Sequence, residues 1–193
     1  MPPLPIVTPQ TLADLIRRGR AIWDEFEDRA IERHHLFVPC DQEGAFEMLR
    51  KLRPRAGNFL EFGSGAGVVT ILADLLGYDA CGIEIEQWLV DQSELLAREF
   101  GSVATFAQGS FVPPAYQEEV ENLAHDRMTP TAGARAYDEL SMDLSDFDLV
   151  FAYPWPGEEE WLYELMRRHS RDDALLMTYD LQQGFEVNVV GEL

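Results

Sequence analysis

Cysteine is scarce in this sequence, and long apolar runs are absent from it. The two cysteines, Cys40 and Cys81, are far apart and match neither the spacing of a metal site nor a disulfide framework, which favours a reduced, cytoplasmic protein without a bound metal. No apolar run reaches the ~18 residues that cross a bilayer. The first residues, MPPLPIVTPQ, lack the basic and apolar regions of a signal peptide, so we expect neither secretion nor membrane insertion.

Basic residues are also few. Fifteen lysines and arginines face 35 aspartates and glutamates, which gives a formal net charge of −20. Because nucleic-acid affinity depends on basic groups that displace counterions, this balance disfavours DNA, RNA and anionic membranes as partners. A basic protein or a cationic small molecule is compatible with the same field. Solubility alone, or a salty habitat, would equally account for the acidity.

The N-terminal part of the chain predicts helices. Apolar residues recur at helical spacing over residues 9–32, which predicts one or two amphipathic helices, with Gly19 as a break between them. Asp41 is placed to cap a further helix that Pro54 ends. We therefore expect residues 1–56 to form a helical extension packed on the rest of the chain, where it either covers a ligand or forms a dimer contact.

From residue 58 onwards apolar strands alternate with helices. The strand segments are FLEF, ACGIEI, VATFAQ, DLVFAY and ALLMTYD, with FEVNVV as a further strand of undetermined direction. Strands joined by crossover helices form a doubly wound, mostly parallel α/β sheet, so we expect one such unit over residues 57–193 and one compact domain overall. Residues 113–147 interrupt the alternation and predict a long loop, with a short helix at 116–127.

The run FLEFGSGAGVV lies between the first of these strands and its helix. Gly63, Gly65 and Gly67 permit a tight turn and bring a ligand close to the helix N-terminus, at the edge where open α/β sheets bind ligands. The dinucleotide fingerprint G-x-G-x-x-G is not met, because Val68 stands at its third glycine, and no G-K-[ST] follows for a P-loop. The spacing therefore disfavours an NAD-dependent oxidoreductase.

Two acids flank this loop. Glu61 precedes the first glycine, where a carboxylate suits an ammonium group better than a pyrophosphate. Glu84 ends the next strand, where a carboxylate can accept hydrogen bonds from both hydroxyls of a ribose. The expected ligand therefore has a ribose and an ammonium or sulfonium group and lacks a pyrophosphate. S-adenosylmethionine (SAM) meets this description.

EFGSGAG followed by GIEIE resembles motif I and the following acidic motif of class I SAM-dependent methyltransferases, a likeness that covers residues 57–180. The resemblance implies a Rossmann-like fold in which the glycine loop and Glu61 surround the methionine part of SAM. Glu84 would hold the ribose and Ile85 would pack on the adenine. In QGSF, Ser110 takes the place of an acid that often contacts the adenine amino group, so its hydroxyl or the Phe111 backbone is expected there. The cofactor-binding residues predicted in this way are Glu61, Gly63, Ser64, Gly65, Gly67, Glu84, Ile85, Ser110 and Phe111.

The strand segment FDLVFAYPWPGEEE should end at the site of methyl transfer. Amino-methylating members of the family carry a motif of the type [DNS]-P-P-[YFW] here, and Ala152 stands at its polar first position. That departure argues against a typical nucleobase amino-methyltransferase. Tyr153 and Trp155 are predicted as catalytic-site residues that line the acceptor pocket, since aromatic faces stabilise cations. A Trp155 that merely fills the core is the alternative.

A fainter resemblance, to SAM-dependent protein-lysine methyltransferases, involves HLFVPCDQEGAFEMLRKL and EIEQWLV. It implies that Phe37, Val38 and Pro39 close over the cofactor and that Trp88 packs beside it, although Gln87 replaces a proline of that pattern.

Two further groups of residues have two interpretations each. His34 and His35 either supply a base or form a solvated helix end. The acids Glu158–Glu160 support the N-terminus of the following helix, or one of them faces a cationic substrate.

The sequence thus predicts a SAM-dependent methyltransferase that acts on an unidentified acceptor, such as a protein lysine or a small amine. Its expected partners are a small molecule or a basic protein, and its oligomeric state is left open, with a dimer as one outcome. The alternative is a SAM- or adenosine-nucleoside-binding module without transferase activity, which the missing polar residue at Ala152 favours.

Overall fold

The architecture centres on one six-stranded sheet flanked by helices. The computed structural model describes residues 7–29, 39–114, 116–117, 129–131 and 133–193. The strands are β1 Asn58–Phe62, β2 Asp79–Glu84, β3 Thr105–Gln108, β4 Leu149–Ala152, β5 Leu175–Asp180 and β6 Gly184–Val189. The helices are α1 Pro9–Arg29, α2 Gln42–Leu52, α3 Val68–Leu75, α4 Gln87–Phe100, α5 Ala136–Leu140 and α6 Glu159–His169.

The sheet is doubly wound, as predicted. Its strand order is β3-β2-β1-β4-β5-β6, so the order reverses between β1 and β4. All neighbouring strands are parallel except β6, which runs antiparallel to β5. FEVNVV is therefore confirmed as a strand, and its direction is now defined. The reversal leaves a crevice at the carboxyl ends of β1 and β4, the usual ligand site of such sheets.

Alternate residues of the strands enter two separate hydrophobic cores. Phe59 and Phe151 belong to the core beneath α1, α2, α3 and α4, whereas Leu60 and Val150 belong to the core beneath α5 and α6. This alternation follows from the two-residue period of a strand and explains why the strand segments read as continuous apolar runs. None of the described helices is long and apolar enough to cross a membrane.

Helix α1 corrects the predicted break at Gly19. The helix runs without interruption from Pro9 to Arg29. A Cβ atom at Gly19 would lie 2.2 Å from Cγ2 of Val68, so the glycine allows close packing of α1 on α3. The Arg18 guanidinium donates to both carboxylate oxygens of Glu99, which joins α1 to α4.

Two other local predictions have mixed outcomes. Asp41 is confirmed as the cap of α2, since its carboxylate accepts a hydrogen bond from the Gly44 N–H at 3.0 Å. The prediction of a long loop over 113–147 is wrong in part, because α5 lies within it and is followed by a 3-10 turn at Leu144–Asp146. Most of the helix predicted at 116–127 lies outside the described residues.

Gly19→Ala should destabilise the protein even though alanine is the better helix former by about 1 kcal/mol. The added methyl group overlaps Val68, and overpacking of this kind costs roughly 1–3 kcal/mol. Urea unfolding of Gly19→Ala, Val68→Ala and the double variant gives the coupling energy between the two sites. If Gly19→Ala is more stable than the native protein, or if the free-energy changes of the two single variants add up to that of the double variant, α1 does not pack closely on Val68.

Candidate functional site

An aromatic and acidic cleft opens at the carboxyl ends of β1, β2 and β4. Of the predicted cofactor residues, those that line it are Glu61, Gly63, Glu84, Ile85, Ser110 and Phe111. Both predicted acceptor-side residues, Tyr153 and Trp155, line it too. The fold therefore brings together residues that are up to 94 positions apart, counted from Glu61 to Trp155.

Ser64, Gly65 and Gly67 of the glycine loop are not among the lining residues. Gly63, Gly65 and Gly67 all have positive φ, at 66°, 54° and 75°, which explains why the loop needs glycine at alternate positions. A Cβ atom at Gly67 would lie 2.8 Å or less from Phe106 and Ser93, so this residue packs inward. By contrast, a Cβ atom at Gly63 would meet no atom within 4 Å, because it would project into open space.

Glu84 fastens the loop to the end of β2. Its Oε2 atom accepts a hydrogen bond from the Gly65 N–H at 2.9 Å, and Oε1 accepts one from the Glu86 N–H at 3.0 Å. The residue is 7% exposed, and burial raises the pKa of its carboxyl. A carboxylate offers about four lone-pair directions, so two bonds to backbone leave capacity for ligand hydroxyls.

Glu61 is held by the first turn of α3. Its Oε2 atom accepts hydrogen bonds from the N–H of Thr70 at 2.9 Å and from the hydroxyl of Thr70 at 2.6 Å. The side chain is 6% exposed, and burial, opposed by these bonds and reinforced by Glu84, raises its pKa to about 8. Among the described residues that line the cleft there is no lysine, arginine or histidine. The described lining therefore has three buried carboxyls, Glu61, Glu84 and Glu158, and no basic side chain.

Ser110 does not direct its hydroxyl proton into the cleft. The hydroxyl donates to the Thr131 carbonyl at 2.7 Å and accepts from the Val112 N–H at 3.1 Å. The Phe111 carbonyl likewise accepts a hydrogen bond from the Tyr137 hydroxyl at 2.7 Å. The contact of this segment with an adenine stays a prediction, and the Ser110 hydroxyl is already engaged within the chain.

The other side of the cleft is aromatic. Phe111 stacks between Phe62 and Trp161, with ring centroids 4.4 Å and 6.0 Å away. Tyr153 meets Tyr179 edge to face with ring centroids 5.1 Å apart, and burial raises the pKa of its phenol. Trp155 is half-buried on the cleft wall rather than in the core.

Several residues of the cleft were missed by the sequence reasoning. Trp23 and Phe26 of α1 line it, although their helical spacing indicated only an apolar face. Cys40 lines it as well, and burial together with Glu61 raises the pKa of its thiol. Glu158, one of the three acids for which the sequence left open a contact with a cationic substrate, is a further lining residue.

The residues of the fainter resemblance are only partly described. Trp88 stacks on Phe26 with ring centroids 5.9 Å apart and lies outside the cleft lining, and Pro39 is exposed. His34, His35, Phe37 and Val38 lie outside the described residues. Within the described ranges, no group of three or more histidine, cysteine or acidic side chains is arranged to hold a metal ion.

Comparison with known sequences gives one short likeness. No protein-family model matches the chain. A lysine N-methyltransferase of Mus musculus, named for a subunit of ATP synthase, is 37% identical over 65 residues. The match covers 34% of this chain and 26% of the mouse protein, about a quarter of its length.

Comparison with solved structures concerns the whole fold. An RNA methyltransferase from Salinibacter ruber, crystallised with S-adenosylhomocysteine (SAH), has a TM-score of 0.53 at 17% identity and is matched over 77% of this chain and 90% of its own. An O-methyltransferase from Bacillus cereus, also with SAH, has a TM-score of 0.51 at 17% identity, over 89% of this chain and 66% of its own. The chain has the Rossmann-like fold of class I SAM-dependent methyltransferases, as its motifs predicted.

Glu61→Gln should remove a pH-dependent loss of stability. The folded-state pKa of about 8 exceeds the ordinary value of 4.5, so the contribution of this carboxyl to the free energy of unfolding is present below pH 4.5 and is lost as pH rises towards 8. Glutamine stays neutral and can still accept both hydrogen bonds from Thr70. The variant should therefore gain stability relative to the native protein between pH 5 and pH 8.5.

Urea unfolding of both proteins at several pH values measures this difference. Titration of acids remote from Glu61 is common to both and cancels in the subtraction, whereas the interaction between Glu61 and Glu84 is part of the measured difference. A difference that stays constant across this range would mean that Glu61 is already charged at pH 5.

Proposed function

We propose that this chain is a SAM-dependent methyltransferase that transfers a methyl group to an amine, either the side chain of a protein lysine or a small amine. The observation that carries the proposal is the pair of buried carboxyls, Glu61 and Glu84, at the carboxyl ends of adjacent strands in a cleft whose described lining lacks any basic side chain. Such a cleft suits a ligand that is cationic and rich in hydroxyl groups.

The residues present fit SAM. Glu84 is fixed by backbone N–H groups and retains acceptor capacity for the ribose hydroxyls. Glu61 is suited to the ammonium group of the methionine part, because a cation beside it would offset the cost of its burial. The open space at Gly63 leaves room for the ligand beside the loop. A pyrophosphate, as in NAD, would instead add negative charge next to two carboxyls.

The chain's own contribution to methyl transfer is mainly binding and orientation. SAM, when bound, supplies a methyl group on a positively charged sulfur, and transfer breaks the bond from sulfur to methyl, leaves the electron pair on sulfur and forms the new bond to the acceptor. The aromatic side chains of Tyr153 and Trp155 limit water and pack against a cationic acceptor. An amine acceptor must lose a proton first, to bulk water or to a nearby carboxylate.

The choice of an amine is supported by two observations. The mouse protein matched over part of this chain is named as a lysine N-methyltransferase. The acidic cleft and the net charge of −20 favour a cationic acceptor or a basic protein segment over a neutral or anionic one.

A second candidate function is a SAM- or adenosine-nucleoside-binding module without transferase activity. One observation favours it: Ala152 stands where amino-methylating relatives carry a polar residue, and its methyl side chain cannot accept a hydrogen bond. The two functions share the cofactor site and differ on the acceptor side of the cleft.

SAM and SAH should each raise the melting temperature of the protein, whereas NAD should leave it unchanged. A ligand at about 100 times its dissociation constant adds roughly 2.7 kcal/mol of stability, which corresponds to about 5–10 °C for a chain of this size. Differential scanning fluorimetry measures the shifts. Stabilisation by NAD alone would overturn the proposal.

Gly63→Ala should weaken SAH binding, while Gly101→Ala should not. Both glycines have positive φ, 66° and 68°, and a Cβ atom at either would meet no protein atom within 4 Å, so both substitutions cost about 1–2 kcal/mol of backbone strain. Only the methyl group at residue 63 projects into the cleft. Calorimetry should give roughly tenfold weaker SAH binding or worse for Gly63→Ala. Equal affinities of the two variants would mean that the ligand does not lie beside Gly63.

A further inference from the structure

Glu158 is brought to the cleft by a tight turn after β4. The turn comprises Trp155, Pro156, Gly157 and Glu158, and the Glu158 N–H donates to the Trp155 carbonyl at 2.9 Å. Gly157 has a φ of 87°, and the preceding proline is suited to the first central position, so the sequence has the residues that a type II turn requires. The turn places Glu158 next to Trp155 at the carboxyl end of β4.

The side chain of Glu158 is not used to cap α6. Glu158 precedes the first residue of that helix, yet its carboxylate makes no capping hydrogen bond. Glu159, in the first turn of the helix, accepts a hydrogen bond from the Gly157 N–H at 2.9 Å. Support of the helix terminus therefore does not explain why Glu158 is buried. Glu159 and Glu160, which are more exposed, lie in the first turn of the helix.

Instead, Glu158 is turned into the cleft. It is 6% exposed and lines the same cavity as Glu61 and Tyr153. One carboxylate oxygen accepts a hydrogen bond from the Thr129 N–H at 3.2 Å, and the other accepts a short one from the Thr129 hydroxyl. The carboxylate is thus fixed in direction, as a recognition group must be.

The surroundings of Glu158 combine a carboxylate with aromatic faces. Trp155 precedes it in the turn, and Trp161, stacked on Phe111, lines the cleft from the first turn of α6. A buried carboxylate beside aromatic rings is a setting that favours an organic cation, since the rings and the charge attract it together. A neutral hydroxyl gains much less from the same groups.

We propose that Glu158 is the acceptor-binding carboxylate and that it selects an amine, which binds as its ammonium ion and loses a proton to bulk water before transfer, over a neutral alcohol. The inference rests on the proposed function. It also accounts for Ala152: the polar contact that relatives place on the strand end comes here from the turn that follows the strand. Glu158 thereby determines specificity on the acceptor side, while Glu61 and Glu84 serve the cofactor side.

The test is an NMR titration of the full chain loaded with SAH, which occupies the cofactor side, with n-butylammonium and n-butanol as probes. The chain has four tryptophans, whose indole N–H signals can be assigned from tryptophan-to-phenylalanine variants. n-Butylammonium should shift the signals of Trp155 and Trp161 saturably and leave that of Trp88 unchanged, and n-butanol should produce no saturable shift. Glu158→Gln should weaken n-butylammonium binding roughly tenfold.

Two matched variants separate the charge of Glu158 from other effects. Glu160→Gln removes the same charge from an exposed position in the first turn of α6, two residues away, and should leave n-butylammonium binding unchanged. Thr129→Val removes a hydrogen bond to Glu158 but keeps the carboxylate, and binding should stay within about twofold of the native value. If Thr129→Val weakens binding as much as Glu158→Gln does, Glu158 merely anchors the segment at Thr129, and the inference is wrong.

The remaining outcomes are equally decisive. Equal binding of n-butylammonium and n-butanol to the native protein would overturn the inference. Unchanged binding of n-butylammonium to Glu158→Gln would overturn it as well. SAH affinity, measured first by calorimetry, should be the same in Glu158→Gln and in the native protein, which also shows that the variant is folded. If the native protein binds no SAH, the proposed function fails and this inference falls with it.

Discussion

The burial of Glu61 and Glu84 is the constraint on which the rest of the site depends. Each carboxyl is fixed by the chain, Glu61 by Thr70 of α3 and Glu84 by the N–H of Gly65, so together they fasten the glycine loop to the helix behind it and to β2. Hydrogen bonds reduce the cost of burying a carboxyl but do not remove it, as the raised pKa of both groups indicates. A cationic ligand would offset what remains, so the loop is organised for a ligand of that charge.

The N-terminal helix α1 packs close to the glycine loop because one of its residues, Gly19, has no side chain. Gly19 lets α1 approach α3 at Val68, the residue that directly follows the glycine loop. One and two turns further along α1, Trp23 and Phe26 reach the cleft wall. Helix α1 thus lines the cleft as well as covering the core, and its close approach to α3 lies next to the glycine loop.

The sequence predicted the doubly wound, mostly parallel sheet and the position of the glycine loop at the carboxyl end of its first strand, because both depend on local patterns. Apolar periodicity distinguishes strands from helices, and FLEFGSGAGVV with Glu84 is a motif whose spacing has a direct physical meaning. The errors concern quantities that periodicity does not encode. Gly19 was interpreted as a break because a pattern gives no distance to Val68, and α5 was missed because five residues, Ala136–Leu140, are too few to show a helical period. The direction of the Glu158 side chain depends on the turn at Pro156–Gly157. The sequence indicates a turn there but does not show that it places Glu158 in a cleft.

The position of Glu158 also bears on the choice between a transferase and a binding module. Ala152 alone supports the module, if the polar residue of the acceptor motif has to lie on the strand. A ligand contacts side chains regardless of their sequence positions, however, and the turn after β4 places a buried carboxylate in the lining of the same cavity as Ala152. A buried carboxylate that lines the cleft with aromatic rings is what an amine acceptor requires, whereas a module that only binds a cofactor does not require it. The role proposed for Glu158 therefore favours methyl transfer over cofactor binding alone.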